Sequence, residues 1–422
     1  MSAKFFLIIT FTVSLFFNFF SQARELSIQQ LEERKKADIE RKKEREKRGT
    51  KTFLKEITIK SEIVFISKER EVPPVLSNLD PILEDEGFYG VKLAIEDNLT
   101  TGRFVGHDYK AEFHRFLLDE DLNIEFEKLI KEGKKFFVVD FNENELLSLM
   151  KVPGIENVLI FNVRAKNDSL RNENCKKNFF HIPPSYSILS DALTQYLVKK
   201  KWKKWFLVTG PDKNDQLYSD ALKKSAKKFN VKIKEEKIWD FTSDLRRTAG
   251  KEVPIFTKGS KYDVLVVADE DGEFGEYLAY RTWDPRPVVG TQGLKPSSWH
   301  RTHEQWGATQ MQNRFRRESG RWMTEVDYHA WTAVRALGET ITRTQSNDVN
   351  KVQKYLLSEK FGLGAYKGMK VSFRSWNGQL RQPILLAAPR SMVSVSPQEG
   401  YIHPVSELDT LGKDQPESTC KF

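Results

Sequence analysis

Residues 136–161 read FFVVDFNENELLSLMKVPGIENVLIF, and this stretch decides the fold class. Phe136 to Val139 and Val158 to Phe161 are short apolar runs, and Glu143 to Met150 between them has the composition of a short helix. Strands of a parallel sheet are apolar along their length because helices cover both faces of such a sheet. We therefore predict a strand–helix–strand unit of a parallel α/β sheet.

The same alternation continues on both sides of this stretch. Apolar runs favour strands at 57–66, 109–116, 205–209, 231–233, 262–268 and 287–290, and helical patterns occupy 86–99, 122–130, 188–198, 216–229, 325–344 and 349–357. Late strands at 370–374 and 382–387 flank Trp376-Asn377-Gly378, and Asn-Gly is a favourable hairpin turn. The pattern predicts two successive α/β sheets followed by further helix and strand.

The amino terminus has the features of a secretory signal peptide. Lys4 precedes the apolar run from Phe5 to Phe20, and small residues flank Gln22 in Ser21-Gln22-Ala23. An uncleaved membrane anchor is the alternative, but a spanning helix needs about 20 apolar residues. We predict a signal peptide at 1–23 and a mature protein that does not span the membrane.

Residues 24–54 are polar and highly charged, with acid–base pairs at helical i,i+4 spacing such as Glu32/Lys36 and Asp38/Lys42. We interpret this segment as a charged helical leader, and a mobile leader or a docking arm for a partner are alternatives.

Charge argues against nucleic acid as a partner. The chain of 422 residues carries a formal net charge of +9, part of it in residues 31–48 and the rest spread along the chain. The basic-aromatic run Lys199 to Trp205 lies between a predicted helix and a predicted strand, so it is read as a solvated turn. Spread charge of this kind does not describe a nucleic-acid groove.

Two cysteines, Cys175 and Cys420, permit one disulfide in an exported chain. Two unpaired buried thiols are the alternative.

Two short segments resemble a known class of protein. EGFYGVKLAIED at 86–97 resembles the first helix of the type I periplasmic binding proteins of the branched-chain amino acid class, and LYSDAL at 217–222 resembles the helix after the first strand of their second lobe. The resemblance covers roughly residues 57–388. It implies two lobes, each a parallel sheet flanked by helices, with a small ligand bound between them at the carboxyl ends of the strands.

Four other segments are similar to one branch of that class, the substrate-binding proteins associated with pyrroloquinoline-quinone-dependent alcohol dehydrogenase systems. They are HIPPS at 181–185, YRTWDPRPV at 280–288, WHRTHEQWGATQ at 299–310 and GQLRQP at 378–383. The resemblance implies a monomeric substrate-binding component of an ABC importer in the periplasm of a Gram-negative bacterium, with a permease as its partner.

The resemblance also implies a domain layout with three crossings between the lobes, near residues 183, 309 and 362. Lobe 1 then comprises 55–183 with 310–361, and lobe 2 comprises 184–309 with 362–390. The tail 391–422 is expected to pack on lobe 1, where its Cys420 would reach Cys175.

Loops at the expected strand ends supply the candidate ligand-binding residues, which are Asn142, Asn162, Arg164, Tyr218, Asp271, Glu273, Arg281, Trp283 and Gln292. Tyr218 and Trp283 are candidates for an aromatic wall, and Arg164 and Arg281 for an anionic group of the ligand. The chain departs from the amino-acid binders, because the first lobe has no Ser/Thr cluster for a ligand carboxylate and Gln292 stands where an acid is expected. Ordinary amino-acid recognition is therefore not implied.

The acidic loop Asp269 to Glu273 gives a second hypothesis for the site. Asp269, Asp271 and Glu273 supply the oxygen ligands that calcium or a lanthanide prefers, although an exposed acidic loop explains them equally well. His300, His303 and Glu304 lack the spacing of a zinc site, and we interpret them as a structural polar cluster.

An enzyme is the weaker hypothesis, because the chain has no nucleophile elbow, P-loop or dinucleotide fingerprint. Two further hypotheses stay open from the sequence, a lanthanide or calcium carrier and the ligand-binding subunit of a membrane sensor.

Overall fold

The computed structural model describes residues 55–71, 82–240, 245–420 and 422, except for the side chains of 245–247. The chain divides into the units Met1–Leu54 and Lys55–Phe422, and only the second is described below. The expected signal peptide and charged leader lie outside the described residues.

The described part contains fifteen strands and nine α-helices. In chain order the strands are β1 Ile59–Lys68, β2 His107–Phe116, β3 Phe136–Asp140, β4 Leu159–Asn162, β5 Phe179–His181, β6 Lys204–Thr209, β7 Lys232–Ile238, β8 Val264–Ala268, β9 Val288–Gly290, β10 Lys295–Ser297, β11 Leu363–Gly364, β12 Lys370–Phe373, β13 Leu380–Arg381, β14 Ile384–Ala388 and β15 Ser391–Ser396. The helices are α1 Phe88–Val105, α2 Leu122–Lys131, α3 Glu143–Leu149, α4 Tyr186–Lys199, α5 Lys213–Lys228, α6 Leu245–Phe256, α7 Ala308–Ser319, α8 Glu325–Thr344 and α9 Val349–Leu356.

The first lobe is built on a five-stranded parallel sheet with the order β2-β1-β3-β4-β5. Apolar residues of α1, α7 and α8 pack against one face of this sheet, and those of α2 and α3 pack against the other. The strand–helix–strand unit predicted at 136–161 lies in this sheet, as β3, α3 and β4.

The second lobe is built on a four-stranded parallel sheet with the order β7-β6-β8-β9. Helices α4 and α5 cover one face, and α6 with Trp239 covers the other. Trp205, in the basic-aromatic run, is fully buried in β6, so that pattern contributes to the core. The predicted fold class, two parallel α/β sheets flanked by helices, is confirmed.

Two small antiparallel sheets follow, with the orders β10-β14-β15 and β11-β12-β13. The prediction of a late hairpin was wrong about its second strand. The turn at 376–378 joins β12 to the two-residue strand β13, whereas the predicted second strand is β14, in the other sheet.

Two of the expected crossings between the lobes are also misplaced. Trp299 belongs to the core of the first lobe and stacks on Tyr328 of α8, with ring centroids 4.5 Å apart. Residues 361–380 belong to the same core, where the rings of Phe361 and Phe373 stack at 5.5 Å. The chain therefore changes lobe near 298 and 382, and not at 309 and 362, because aromatic contacts hold these segments to the first lobe.

The tail packs on both lobes, and not on lobe 1 alone as expected. Strand β15 pairs with β14 beside α4, Leu411 joins the core of the second lobe, and the Gly412 amide donates to Asp191 of α4. The tail reaches the first lobe through buried Asp409, which accepts from Arg374 at 2.8 Å, and at its end through the predicted Cys175–Cys420 disulfide, which the structure contains. The tail is therefore attached to both lobes.

No described helix has the length and apolar character that crossing a membrane requires.

Candidate functional site

The carboxyl ends of the two parallel sheets meet in a cleft, which is the candidate site. The Lys166 ammonium, in the loop after β4, donates to the Glu270 carboxylate after β8 at 2.8 Å. Lys213 at the start of α5 donates to Glu143 at the start of α3 at 3.0 Å. Ligands of doubly wound sheets bind at this edge, because helix amino termini and loops converge there.

On the first-lobe side, a buried carboxylate is held between two arginines. Asp140, the last residue of β3, accepts from Arg70 at 3.2 Å and from Arg164 at 3.0 Å. Burial acts to raise the pKa of Asp140, but the two guanidinium groups outweigh it and hold that pKa below its usual range. Arg164 also donates to Glu86 at 2.6 Å. Arg164, expected to bind an anionic group, is therefore already neutralised by two carboxylates of the chain.

The side-chain oxygens of Asn142 and Asn162 have structural roles, and both ends of the Asn162 amide are engaged within the chain. Asn142 caps α3, with its side-chain oxygen accepting from the Glu145 amide at 3.0 Å in a reciprocal capping box. Asn162 is fully buried, and its side chain accepts from the amides of Arg164 and Ala165. Asn142 follows β3 and Asn162 ends β4, and both residues shape the loops there.

The contacts of the acidic loop do not support the metal prediction. The buried Asp269 carboxylate accepts from the backbone amides of Glu273, Phe274 and Gly275, at 2.9, 3.1 and 2.6 Å. Its oxygens are thus committed to closing the loop. Within the described residues no group of three or more His, Cys, Asp or Glu could hold a metal ion.

Asp271 and Glu273 are exposed at the rim of the second lobe. Partial burial, followed by the charges of neighbouring carboxylates such as Asp212 and Asp269, raises the pKa of both. They give this rim a negative charge.

A further carboxylate, Asp215 in the first turn of α5, lies beneath the rim. It accepts from the Glu270 amide at 2.5 Å, and a residue other than Gly210 would place a Cβ 2.0 Å from its oxygen. Burial, and then the charges of Asp269 and Asp271, raise the pKa of Asp215 to about 7. Its amide contact fixes the backbone at Glu270 and so positions the carboxylate that meets Lys166.

Two buried tyrosines lie in the first two turns of α4 and α5, at the cleft end of the second-lobe core. The rings of Tyr186 and Tyr218 lie 5.8 Å apart, and Tyr218 is 1% exposed. The Tyr218 hydroxyl has no hydrogen-bond partner among the described residues. Burial, and after it the Glu270 carboxylate, raise the pKa of Tyr218 well above its usual value. Tyr218 was expected from the sequence at this position.

Arg281 and Trp283 are not cleft residues, contrary to prediction. The exposed Arg281 guanidinium lies over Tyr277, which packs on the α6 face of the sheet. The Trp283 amide donates to Thr257, the residue after α6, at the amino end of β8. The segment after Tyr277 thus returns to the opposite edge of the sheet before β9 begins. Gln292 follows β9 at the cleft edge and is half-buried there.

The zinc alternative is not supported by the histidine contacts. His300 lies 2.7 Å from the Thr302 hydroxyl, and His303 lies 2.7 Å from the Tyr366 carbonyl.

Lys166, Glu270, Tyr186 and Asp215 were missed by the sequence analysis. Lys166 stands two residues after the candidate residue Arg164, and Glu270 lies inside the acidic loop. The sequence places Lys166 and Glu270 at or beside predicted cleft loops, but it does not predict that they pair across the lobes.

Comparison with known proteins gives the class of fold. A family model described as periplasmic binding protein matches residues 122–248. No curated protein matches the chain.

Solved structures match over most of the chain. A periplasmic binding protein from Burkholderia mallei is 16% identical with a TM-score of 0.63, covering 86% of this chain and 98% of that one. A leucine-, isoleucine-, valine-, threonine- and alanine-binding protein from Brucella ovis in a closed conformation is 11% identical with a TM-score of 0.63, covering 82% and 97%. A solute-binding protein from R. palustris in complex with benzoate is 12% identical with a TM-score of 0.61, covering 86% and 99%. The chain therefore has the two-lobed fold of periplasmic binding proteins.

Proposed function

We propose that this protein is the periplasmic substrate-binding component of an ABC importer, which captures a small ligand between its lobes and delivers it to a permease. The observation that carries the proposal is the meeting of two parallel-sheet edges, with Lys166 and Glu270 in contact across the cleft. A binding protein needs such a cleft and a means of closing it, and hinged lobes supply both.

A carrier is favoured over an enzyme by the state of the polar groups in the cleft. Asp140 is paired with two arginines, Asp269 with three amides and Lys166 with a carboxylate. These groups stabilise loops and lobe contacts. The solved structures of this fold described above are themselves named as binding proteins.

Thermal-shift screening of the mature protein tests this function. The panel comprises amino acids, alcohol-derived acids, alkylamines, calcium and lanthanum. An organic ligand should raise the apparent stability by about 2.7 kcal/mol at a hundredfold excess over its Kd. Calcium and lanthanum should give no shift, because Asp269 is engaged by the backbone.

A matched pair of variants tests whether the ligand binds in the cleft. Tyr218→Phe removes a hydroxyl that has no partner among the described residues. The variant should bind the ligand with about tenfold lower affinity and keep the stability of the wild type. Tyr262→Phe makes the same change just before the amino end of β8, outside the cleft, and should leave the affinity unchanged. Equal weakening by both variants, or turnover of the ligand, would contradict the proposal.

We further propose a link to quinone-dependent alcohol oxidation, supported by the sequence strings at 181–185, 280–288, 299–310 and 378–383. The abundance of the protein should rise with that of a quinone-dependent alcohol dehydrogenase when cells grow on an alcohol. Quantitative proteomics against growth on succinate measures this, and unchanged abundance would contradict the link.

A further inference from the structure

We propose that Lys166 occupies the position of a ligand's cationic group, and that the natural ligand is a small organic cation that displaces it. This inference rests on the proposed function and names its substrate class.

The Lys166 side chain is placed across the cleft by contacts on both lobes. Its carbonyl accepts from the Tyr186 amide at 3.0 Å, which fixes the loop, and its ammonium donates to Glu270 at 2.8 Å. The Lys166 and Glu270 side chains are only 23% and 11% exposed. Burial acts to lower the pKa of Lys166, but the Glu270 and Glu325 carboxylates outweigh it and raise that pKa. The ammonium is thus a bound cation that the chain itself supplies.

The surroundings of this ammonium carry an excess of negative charge. Apart from burial, the Glu270 and Glu325 carboxylates raise the pKa of Lys166 and the Arg164 guanidinium lowers it, and the carboxylates outweigh Arg164. A partly buried carboxylate that loses its cation is strongly destabilised. A ligand that displaces Lys166 must therefore bring a positive charge of its own.

The buried Tyr218 hydroxyl is an independent sign of a ligand at this point. It is unpartnered among the described residues, and the Tyr218 ring lies 5.8 Å from the ring of Tyr186, whose amide donates to the Lys166 carbonyl. A hydroxyl can accept a hydrogen bond from an alkylammonium group, and the faces of Tyr186 and Tyr218 favour a cation. A carboxylate ligand would instead meet Glu270 as a like charge.

Calorimetric titration of wild type and Lys166→Met tests the inference. The probes share one carbon frame, n-butylammonium, butyrate and 1-butanol, and are used at fixed ionic strength. Lys166→Met should bind butylammonium at least tenfold more tightly than wild type, with no gain for butyrate or butanol. The matched control is Lys134→Met, which removes a 17% exposed lysine that pairs with Glu62 before the amino end of β3, away from the cleft, and it should leave all three affinities unchanged.

Small-angle X-ray scattering on the same proteins measures lobe closure. Unliganded Lys166→Met should have a larger radius of gyration than wild type, and butylammonium should restore the smaller value. Equal butylammonium affinity in the two proteins, or a gain for butyrate instead, would overturn the inference.

The two proposals fail in different ways. A neutral or anionic ligand from the thermal-shift panel whose affinity Lys166→Met leaves unchanged would overturn the cation inference while the carrier function stands. The carrier function fails if no compound of that panel binds the wild-type cleft.

Discussion

At the scale of single residues, Asp269 stabilises its loop by accepting three backbone amides at once. We expect Asp269→Asn to lower the free energy of unfolding by about 1–3 kcal/mol, because a buried amide loses a charged acceptor. The exposed Asp271→Asn is the control and should change it by less than about 0.5 kcal/mol. Urea denaturation measures both, and an equal cost would show that Asp269 does not hold the loop.

His329, buried in α8, makes stability depend on pH. Burial lowers the pKa of His329 to about 4, from about 6.5 in the unfolded chain. The unfolded state therefore binds the proton first, so this contribution to stability is complete above pH 6.5 and is lost as pH falls towards 4. It amounts to about 3 kcal/mol at most.

Between pH 7 and pH 4.5, the melting temperature of His329→Phe should fall by less than that of the wild type. Thermal denaturation at several pH values measures the slope, with the part-exposed His114→Phe as control. A slope in His329→Phe equal to that of wild type would exclude this account of His329.

Sequence patterns placed several residues in cleft loops but did not give their chemistry. Arg164 lies in the loop after β4, but its availability to a ligand depends on Asp140 and on Glu86, 78 positions away along the chain. Asp269 likewise is of a residue type that often binds metal ions, but its hydrogen bonds are those of a residue that caps a loop. Such assignments depend on which backbone amides a carboxylate meets, and local sequence does not show that.

At the scale of secondary-structure elements, α1 and α8 approach so closely that Gly90 permits no side chain. A Cβ at Gly90 would lie 2.1 Å from the Asp327 carbonyl oxygen, which belongs to a helix backbone that cannot move aside. We expect Gly90→Ala to destabilise the protein by about 2 kcal/mol or more.

The control for this change is Gly250→Ala in α6, where a Cβ would meet nothing within 4 Å. It should be neutral or stabilise by up to about 1 kcal/mol, because alanine is the better helix former. Chemical denaturation of both variants gives the comparison, and a stable Gly90→Ala protein would argue against the close helix contact.

Most strands of the two sheets were predicted to within a few residues, because buried parallel strands are apolar runs with clear limits. Helices α6 and α7 were not predicted. Helix α6 contains Gly250 and Pro254, and α7 is polar except for a narrow stripe that includes Met311 and Phe315. The pairing of β12 with β13 was missed because a two-residue strand has no periodic signal.

At the scale of the whole molecule, the carboxyl-terminal tail contacts both lobes. The disulfide attaches the end of the tail to the first lobe. Cys175 and Cys420 are 245 positions apart, so the bond removes much conformational freedom from the unfolded chain. We expect the double variant Cys175→Ser/Cys420→Ser to lose about 2–5 kcal/mol of stability. Chemical denaturation measures this, and reduced wild type should behave like the variant. A difference from oxidised wild type below about 1 kcal/mol would contradict the expectation.

Two lobes were predictable because two series of alternating strands and helices follow one another in the chain. The points of crossing were not, because they depend on contacts between distant residues such as Trp299 with Tyr328. The contact between Lys166 and Glu270 across the cleft was not predictable for the same reason, since these residues are 104 positions apart.

The most direct test of the carrier account is a crystal structure of the protein with the ligand that the thermal-shift panel identifies. The account predicts the ligand in the cleft, between the loops after β3 and β4 on one side and those after β6, β8 and β9 on the other, in contact with Tyr218. A ligand bound elsewhere would contradict it, for example in the surface groove of about 820 Å³ beside Lys360 and Trp376.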